Sequence, residues 1–287
     1  MDVNPKEELV SLNETHQKNL LVQMASRIKQ LLSFSFLIRQ LVKINITSAY
    51  RRSFIGLTWM VINPILSVIA WVLLHGAGIL NPGDTGIPYP AYVLLSTSIW
   101  SFFLGAYQST SQVLVGGSRL MVTVQFPHEV LVAERIIVHL VNFILPFVIN
   151  LVVLLIYGVS FSWHLLLFPL SLLPLLFLGV SLGLFVSLLR VVAFDFANLF
   201  DKVIQFLMFV TPVIYAPKVD IAGLAVIIRY NPLTYLIGFS RDLLTKGVFY
   251  EPQIYALVSL GVAGLLFISY GLFVKFERDL VERMINV

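Results

Sequence analysis

Arg135 and His139 stand one helical turn apart (i, i+4) inside an apolar run from Val130 to Tyr157. With His75, they are the ionisable side chains set deepest in apolar sequence. Ionisable groups at such depth are costly, so function is their default reading. A proton relay would want a carboxylate partner deep in the same setting. None is present: Asp195, Asp201, Glu129 and Glu134 fall at the edges of the apolar runs, where they read as solvated or paired end-caps. The five histidines (His16, His75, His128, His139, His164) are scattered, with no zinc-ligand spacing, and there is no cysteine. No metal site, disulfide or thiolate chemistry is expected. No GxxxxGK[ST] run offers a phosphate-cradling loop, and no Ser/His/Asp constellation can be assembled. We therefore expect no catalytic residue and no cofactor bound by this chain.

Aromatic residues offer a different chemistry. Trp100, Phe103 and Tyr107 fall on one helical stripe, and Phe206 and Phe209 lie one turn apart. Tyr89, Tyr92, Tyr215, Tyr230 and Tyr235 cluster near the ends of apolar runs. Interfacial belts and core packing account for most aromatics in membranes. The alternative is a sugar slide, because pyranose CH faces stack on aromatic rings without strict sequence demand.

The elements that must position these groups follow from composition. Of 287 residues, 58% are hydrophobic and only 12% charged, too few polar residues to skin a soluble domain. Apolar runs near 20 residues predict an all-α integral membrane protein, not a barrel. Six spans are expected: Leu57 to Leu80, Ala91 to Gln112, Val130 to Tyr157, Trp163 to Leu189, Leu199 to Tyr215 and Gln253 to Lys275. Eight basic residues precede the first span, and Arg119, Arg190, Lys202, Lys275, Arg278 and Arg283 mark alternate connections. That alternation puts both termini in the cytoplasm and accounts for the net charge of +4 without nucleic acid. The polar start, MDVNPKEELVSLNETHQKN, is no cleaved signal peptide.

One stretch breaks the alternation: Lys218, Arg229, Arg241 and Lys246 lie on the supposedly outer side. Between Lys202 and Pro217 there are 14 residues, about 21 Å of helix against a core of about 30 Å. The fifth helix should stop inside the membrane near Thr211-Pro212. The chain then climbs out through Val219 to Tyr230, turns at Asn231-Pro232 and continues through Leu233 to Lys246. This predicts a re-entrant helical hairpin, since irregular backbone at that depth must lie against protein or water. Upstream, Leu20 to Ile46 has apolar residues at near-helical spacing, with Arg27, Lys29, Arg39 and Lys43 off the stripe. It reads as an amphipathic interfacial helix. Val113 to Glu129 reads as a semi-apolar cytoplasmic loop with a Gly116-Gly117 break and Phe126-Pro127, suited equally to a protein partner or to an amphipathic turn lying on the membrane surface. The expected organisation is 1–30 cytoplasmic extension, 31–56 interface helix, 57–275 transmembrane domain and 276–287 cytoplasmic tail.

Several motifs in order carry a resemblance. Tyr50-Arg51-Arg52-Ser53-x-x-Gly56-Leu57-x-Trp59-x-x-x-x-Pro64 is followed by Phe126-Pro127, then Thr211-Pro212-Val213-x-Tyr215, then Asn231-Pro232-Leu233 with Arg241-Asp242-Leu243-Leu244. Together they resemble the ABC-2 type permeases that export polysaccharides (O-antigen, capsule, teichoic acid), over most of the chain from about Leu31 onward. The resemblance implies the membrane half of an ATP-driven exporter in the bacterial inner membrane. It implies a homodimer with two copies of a separate ATPase, which would hold ATP and Mg, and a lipid-linked polysaccharide as cargo. Trp59, Trp100, Phe103, Tyr107, Phe206, Phe209 and Tyr215 would line the channel. Arg229, Tyr230, Asn231, Pro232, Tyr235 and Arg241 would form the outer gate, its arginines placed to meet a phosphate. Gly116, Gly117, Arg119, Phe126, Pro127 and Glu129 would couple to the ATPase. An ABC-2 exporter of a lipid or drug, and a non-transport glycan-assembly protein, are the alternatives.

Overall fold

The computed structural model describes residues 31–51, 58–123, 126–159, 163–218 and 221–285. Among them all regular structure is helical, with no strand. The elements are α1 (Ser35–Arg51), α2 (Thr58–Gly76), α3 (Tyr89–Ser111), α4 (Val113–Thr123), α5 (Glu129–Ile156), α6 (Leu173–Val192), α7 (Phe194–Phe206), α8 (Ala222–Tyr230), α9 (Pro232–Lys246) and α10 (Pro252–Ile285). Two short helical turns, Trp163–Leu167 and Phe168–Ser171, lead into α6. Three segments are long and apolar enough to cross a membrane: Glu129–Ile156, Trp163–Val192 and Pro252–Glu277. A fourth is the pair α8 and α9, if that bent pair is taken as one span. α10 has 34 residues, about 51 Å, so it runs well past the Lys275 boundary expected from hydropathy.

α3 is the central helix. It packs mainly on α6 and α5, then on α2 and α9, while α10 closes over α6. Most of its residues are buried, including Ser96, Thr97, Ser98, Thr110 and Ser111. Polar side chains tolerate this because several turn back on their own helix. Thr97 donates to the Val93 carbonyl (2.6 Å) and Thr110 to that of Ala106 (2.7 Å). Asn150 of α5 does the same, its Nδ2 donating to the Pro146 carbonyl one turn back at 2.7 Å.

α6 meets α3 through Gly179 and Gly183. A Cβ at Gly179 would lie 2.7 Å from the Phe103 carbonyl oxygen. One at Gly183 would lie 2.7 Å from the Tyr107 carbonyl oxygen and would overlap the Thr110 hydroxyl. Small residues one turn apart let helix backbones approach this closely. Gly183→Ala is expected to force the pair apart, costing about 1–3 kcal/mol. The melting temperature of the detergent-purified chain should fall; an unchanged value would mean the contact has slack.

The Gly-Gly break expected after the second span does not occur. Val113–Thr123 is one helix, α4. Leu131 of α5 lies where a Cβ on Gly117 would be, and Arg135 Nη2 lies 3.2 Å from where one on Gly116 would be. The glycines serve close helix contact there, and packing offsets their cost of roughly 1 kcal/mol each.

Candidate functional site

The motif residues of the second half converge on one place, the end of α7. The helix tightens at Leu207–Val210 and stops at Thr211-Pro212. Residues Thr211 to Ile214 are buried without being helical, so their backbone groups need other partners. Side chains of α3 and α9 supply them. Tyr89 Oη donates to the Ile214 carbonyl at 3.1 Å, and Tyr92 Oη to that of Tyr215 at 2.8 Å. Arg241 Nη1 donates to the Pro212 carbonyl at 3.1 Å and to Tyr92 Oη at 2.7 Å. The Ala216 N–H reaches the Pro82 carbonyl at 2.7 Å.

Arg241 is the hub. It is only 3% exposed, its guanidinium lies 4.6 Å from the Tyr92 ring centroid, and its Nε pairs with Asp242 Oδ1 at 3.2 Å. Lys246, one turn on, holds the other Asp242 oxygen at 3.2 Å. Asn231 ties the turn between α8 and α9 to the same place. Its side-chain oxygen caps α9 by accepting from the Leu233 N–H, and its Nδ2 donates to Thr211 Oγ1 at 2.8 Å. Pro232 occupies the first position of α9, where a missing N–H costs nothing. α8 and α9 are bent by 78° at Asn231. Beyond α9, Gly247 in the left-handed region (φ 65°) ends the helix by bonding back to the Asp242 carbonyl. Burial pushes the Tyr250 phenol above its usual range, and its ring stays neutral against Gly238.

A second polar knot lies at the middle of α7. Arg190, in the last turn of α6, places its Nη2 2.9 and 2.8 Å from the two Asp201 oxygens. Its Nε donates to the Ser111 carbonyl at 3.2 Å and its Nη1 to Asn198 Oδ1 at 3.4 Å. Tyr107 Oη donates to Asp201 Oδ1 at 2.7 Å. The knot joins α3, α6 and α7. Buried arginines from other helices thus hold both the middle of α7 and the stretch that follows it.

Residues 36–245 match the model of the ABC-2 type transporter family. The chain belongs to that family. The O-antigen export system permease protein RfbA of Myxococcus xanthus is 25% identical over 266 residues, covering 90% of this chain and 99% of that protein. A protein of the same name from Klebsiella pneumoniae is 22% identical over 238 residues, 81% of this chain and 89% of its own length.

In this ABC-2 permease the structure divides the aromatic residues expected along a channel. Trp100, Phe103 and Tyr107 are buried between α3 and its neighbours, at 3%, 0% and 0% exposure. That corrects the sugar-slide expectation for these three: helical spacing marks a stripe but not its face, and here the face is core. Phe206 and Phe209 are exposed, with ring centroids 5.8 Å apart, and Trp71 of α2 lies 6.4 Å from Phe209. Tyr215 is half-buried, donating to the Phe209 carbonyl at 3.1 Å. The Trp59 side chain lies outside the described residues.

Among the gate residues, Arg229, Tyr230 and Pro232 are exposed, and Tyr235 reaches the Arg229 carbonyl at 2.7 Å. Arg241 is withdrawn from an incoming phosphate by burial, at 3% exposure, with its Nε held by Asp242 and its Nη1 by Tyr92 and Pro212. This is a second correction, since a basic residue in an apolar stretch does not announce partners 29 and 149 positions away.

Of the coupling residues, Gly116 is exposed, Gly117 buried, and Phe126 and Pro127 half-buried. The Arg119 side chain lies outside the described residues. Glu129 faces inward at 2% exposure, 3.5 Å from Tyr270 Oη of α10. It is a brace between α5 and α10, not a docking contact. α1 is braced to α5 in the same manner, by Asn45 Nδ2 donating to Glu134 Oε1 at 2.6 Å. Sequence reasoning noted Tyr92 as an interfacial aromatic, Arg190 as an orientation marker and Asp201 as a solvated or paired end-cap, but did not assign them to these knots. The sole local signal was the Tyr89/Tyr92 spacing at the start of α3.

Proposed function

We propose that this permease is the membrane subunit of an ATP-driven exporter that moves a lipid-linked polysaccharide of the O-antigen type across the inner membrane. The observation that carries this reading is the end-to-end relation to an O-antigen export permease, over 90% of this chain and 99% of that protein. A separate ABC ATPase supplies the energy, in keeping with family membership and with the lack of any phosphate loop in the chain.

In this reading the protein crosses the membrane six times, with both termini in the cytoplasm. α8 and α9 form a re-entrant hairpin at the outer face, and α4 with Phe126-Pro127 meets the ATPase. Two copies of the permease stand over two ATPase copies. The dimer is supported by α7, whose Phe194, Phe196, Leu199, Val203 and Phe206 are all at least half exposed. An apolar face that long beside Phe209 and Trp71 fits a second copy across a shared passage.

Deletion in the native host tests the proposal. Finished lipid-linked polymer should accumulate inside while surface polymer disappears. Loss of both pools would indicate glycan assembly instead. Normal pools in both places would favour export of a lipid or drug.

A further inference from the structure

A polar cleft of about 320 Å3 opens between the last two turns of α3 and the first half of α5. That volume is at the small end of ligand pockets, which run about 300–1,000 Å3. Gln108, Ser109 and Gln112 line it from α3, and Arg135, His139 and Asn142 from α5. Among the described residues no carboxylate lines it. It is separate from both knots around α7.

The cleft is built by small residues. Gly105 lets the His139 ring lie against α3: a Cβ there would come 2.7 Å from its Cε1. The ring is also held by Phe102, with centroids 5.0 Å apart, and one ring nitrogen bonds the Phe102 backbone. His139 Nε2, by contrast, is buried with no hydrogen-bond partner. Such a group costs stability unless a ligand or water satisfies it. Arg135 spends only its Nε on the neighbouring Glu134 carboxylate, at 3.5 Å. One terminal nitrogen passes Gly116, where a Cβ would be 3.2 Å away. The terminal fork is the part of the group suited to bidentate contact with an oxyanion.

Depth points to the ligand. Arg135 and Asn142 lie six and thirteen residues into α5, about 9 and 20 Å from its start. α5 is one of the helices apolar enough to cross a membrane. α5 has 28 residues, about 42 Å against a core of about 30 Å. Arg135 therefore stands near the core's edge, where a long basic side chain reaches lipid headgroups, and Asn142 lies at the deep end of the cleft.

We propose that this cleft binds the anionic, phosphate-bearing headgroup of a membrane lipid, with Arg135 taking the phosphate and the amide-rich rim its flanking hydroxyls. The proposal goes beyond export and does not rest on it. Binding can be lost with export intact, and export can carry another cargo with binding intact.

The test is native mass spectrometry of the purified full chain with added dihexanoyl phosphatidylglycerol. A phosphate-free glucosyl diacylglycerol and inorganic phosphate serve as separate arms. One phosphatidylglycerol per chain should be retained in preference to the glycolipid. Arg135→Gln should lower retention about tenfold, the size of one charge-assisted contact. Gln108→Glu, at an exposed position that disturbs no packing, should lower it as well by placing a carboxylate on the rim. Equal retention of the two lipids, or retention unchanged in both variants, would overturn the proposal. Binding of inorganic phosphate with no gain from the lipid would assign the cleft to a free anion and overturn the lipid assignment.

Discussion

Arg241→Met is expected to unfold the contact of α3 and α9 with the stretch after α7 and to abolish export. The substitution removes the donor to the Pro212 carbonyl and to Tyr92 Oη, and leaves Asp242 with Lys246 alone. Breaking a buried pair by deleting one partner costs about 3–5 kcal/mol. The non-helical stretch after α7 has few substitutes for the lost bond, because Thr211 to Ile214 are buried. Arg241→Lys should recover little, since an ammonium cannot stack flat on Tyr92 while serving Pro212 and Asp242 together. The measurement is the melting temperature of the detergent-purified chain alongside surface polymer in a complemented deletion strain. Export with a wild-type melting temperature in Arg241→Met would refute the clamp.

The Arg190–Asp201 pair is expected to give a different signature. Asp201→Leu alone strands a guanidinium that is 8% exposed, and Arg190→Met alone strands a carboxylate bound by Tyr107. Each should lower stability by about 3–5 kcal/mol, while the double variant should recover most of it. Replacing both charges by apolar groups removes the desolvation cost along with the attraction. The losses should therefore be far from additive. Export gives the second readout. If the pair sets the angle of α7 against α6, the double variant will be stable but poor at export. Additive losses in the cycle would show that the two charges act independently.

Both predictions concern α7, and α7 shows where sequence legibility ended. A short helix was visible in the 14 residues between Lys202 and Pro217, too few for a bilayer core, although α7 spans Phe194–Phe206 and so starts before the expected Leu199. Its stop at Thr211-Pro212 was visible too, because proline removes a donor and the residue before it avoids the helical region. The two arms around Asn231-Pro232 were expected at Val219 to Tyr230 and Leu233 to Lys246, and stand at Ala222–Tyr230 and Pro232–Lys246. Capping and proline chemistry are local, so they can be read along the chain.

Facing and partnership are not local. The stripe of Trp100, Phe103 and Tyr107 was legible as a stripe, but α6 and its two glycines turn it inward. Gly116-Gly117 was legible as weak helix former, yet α5 packs against it and keeps α4 continuous. Arg241 was legible as a costly charge; only the fold brings Tyr92 to it from 149 residues away. By itself the sequence determined an all-helical membrane chain, the place where α7 breaks, and the ordered motifs of the family. The tertiary structure alone decided which motif residues stay exposed and which hold backbone. The reason is physical: hydropathy and turn chemistry act over a few residues, whereas a buried charge is placed by whichever distant helix can satisfy it.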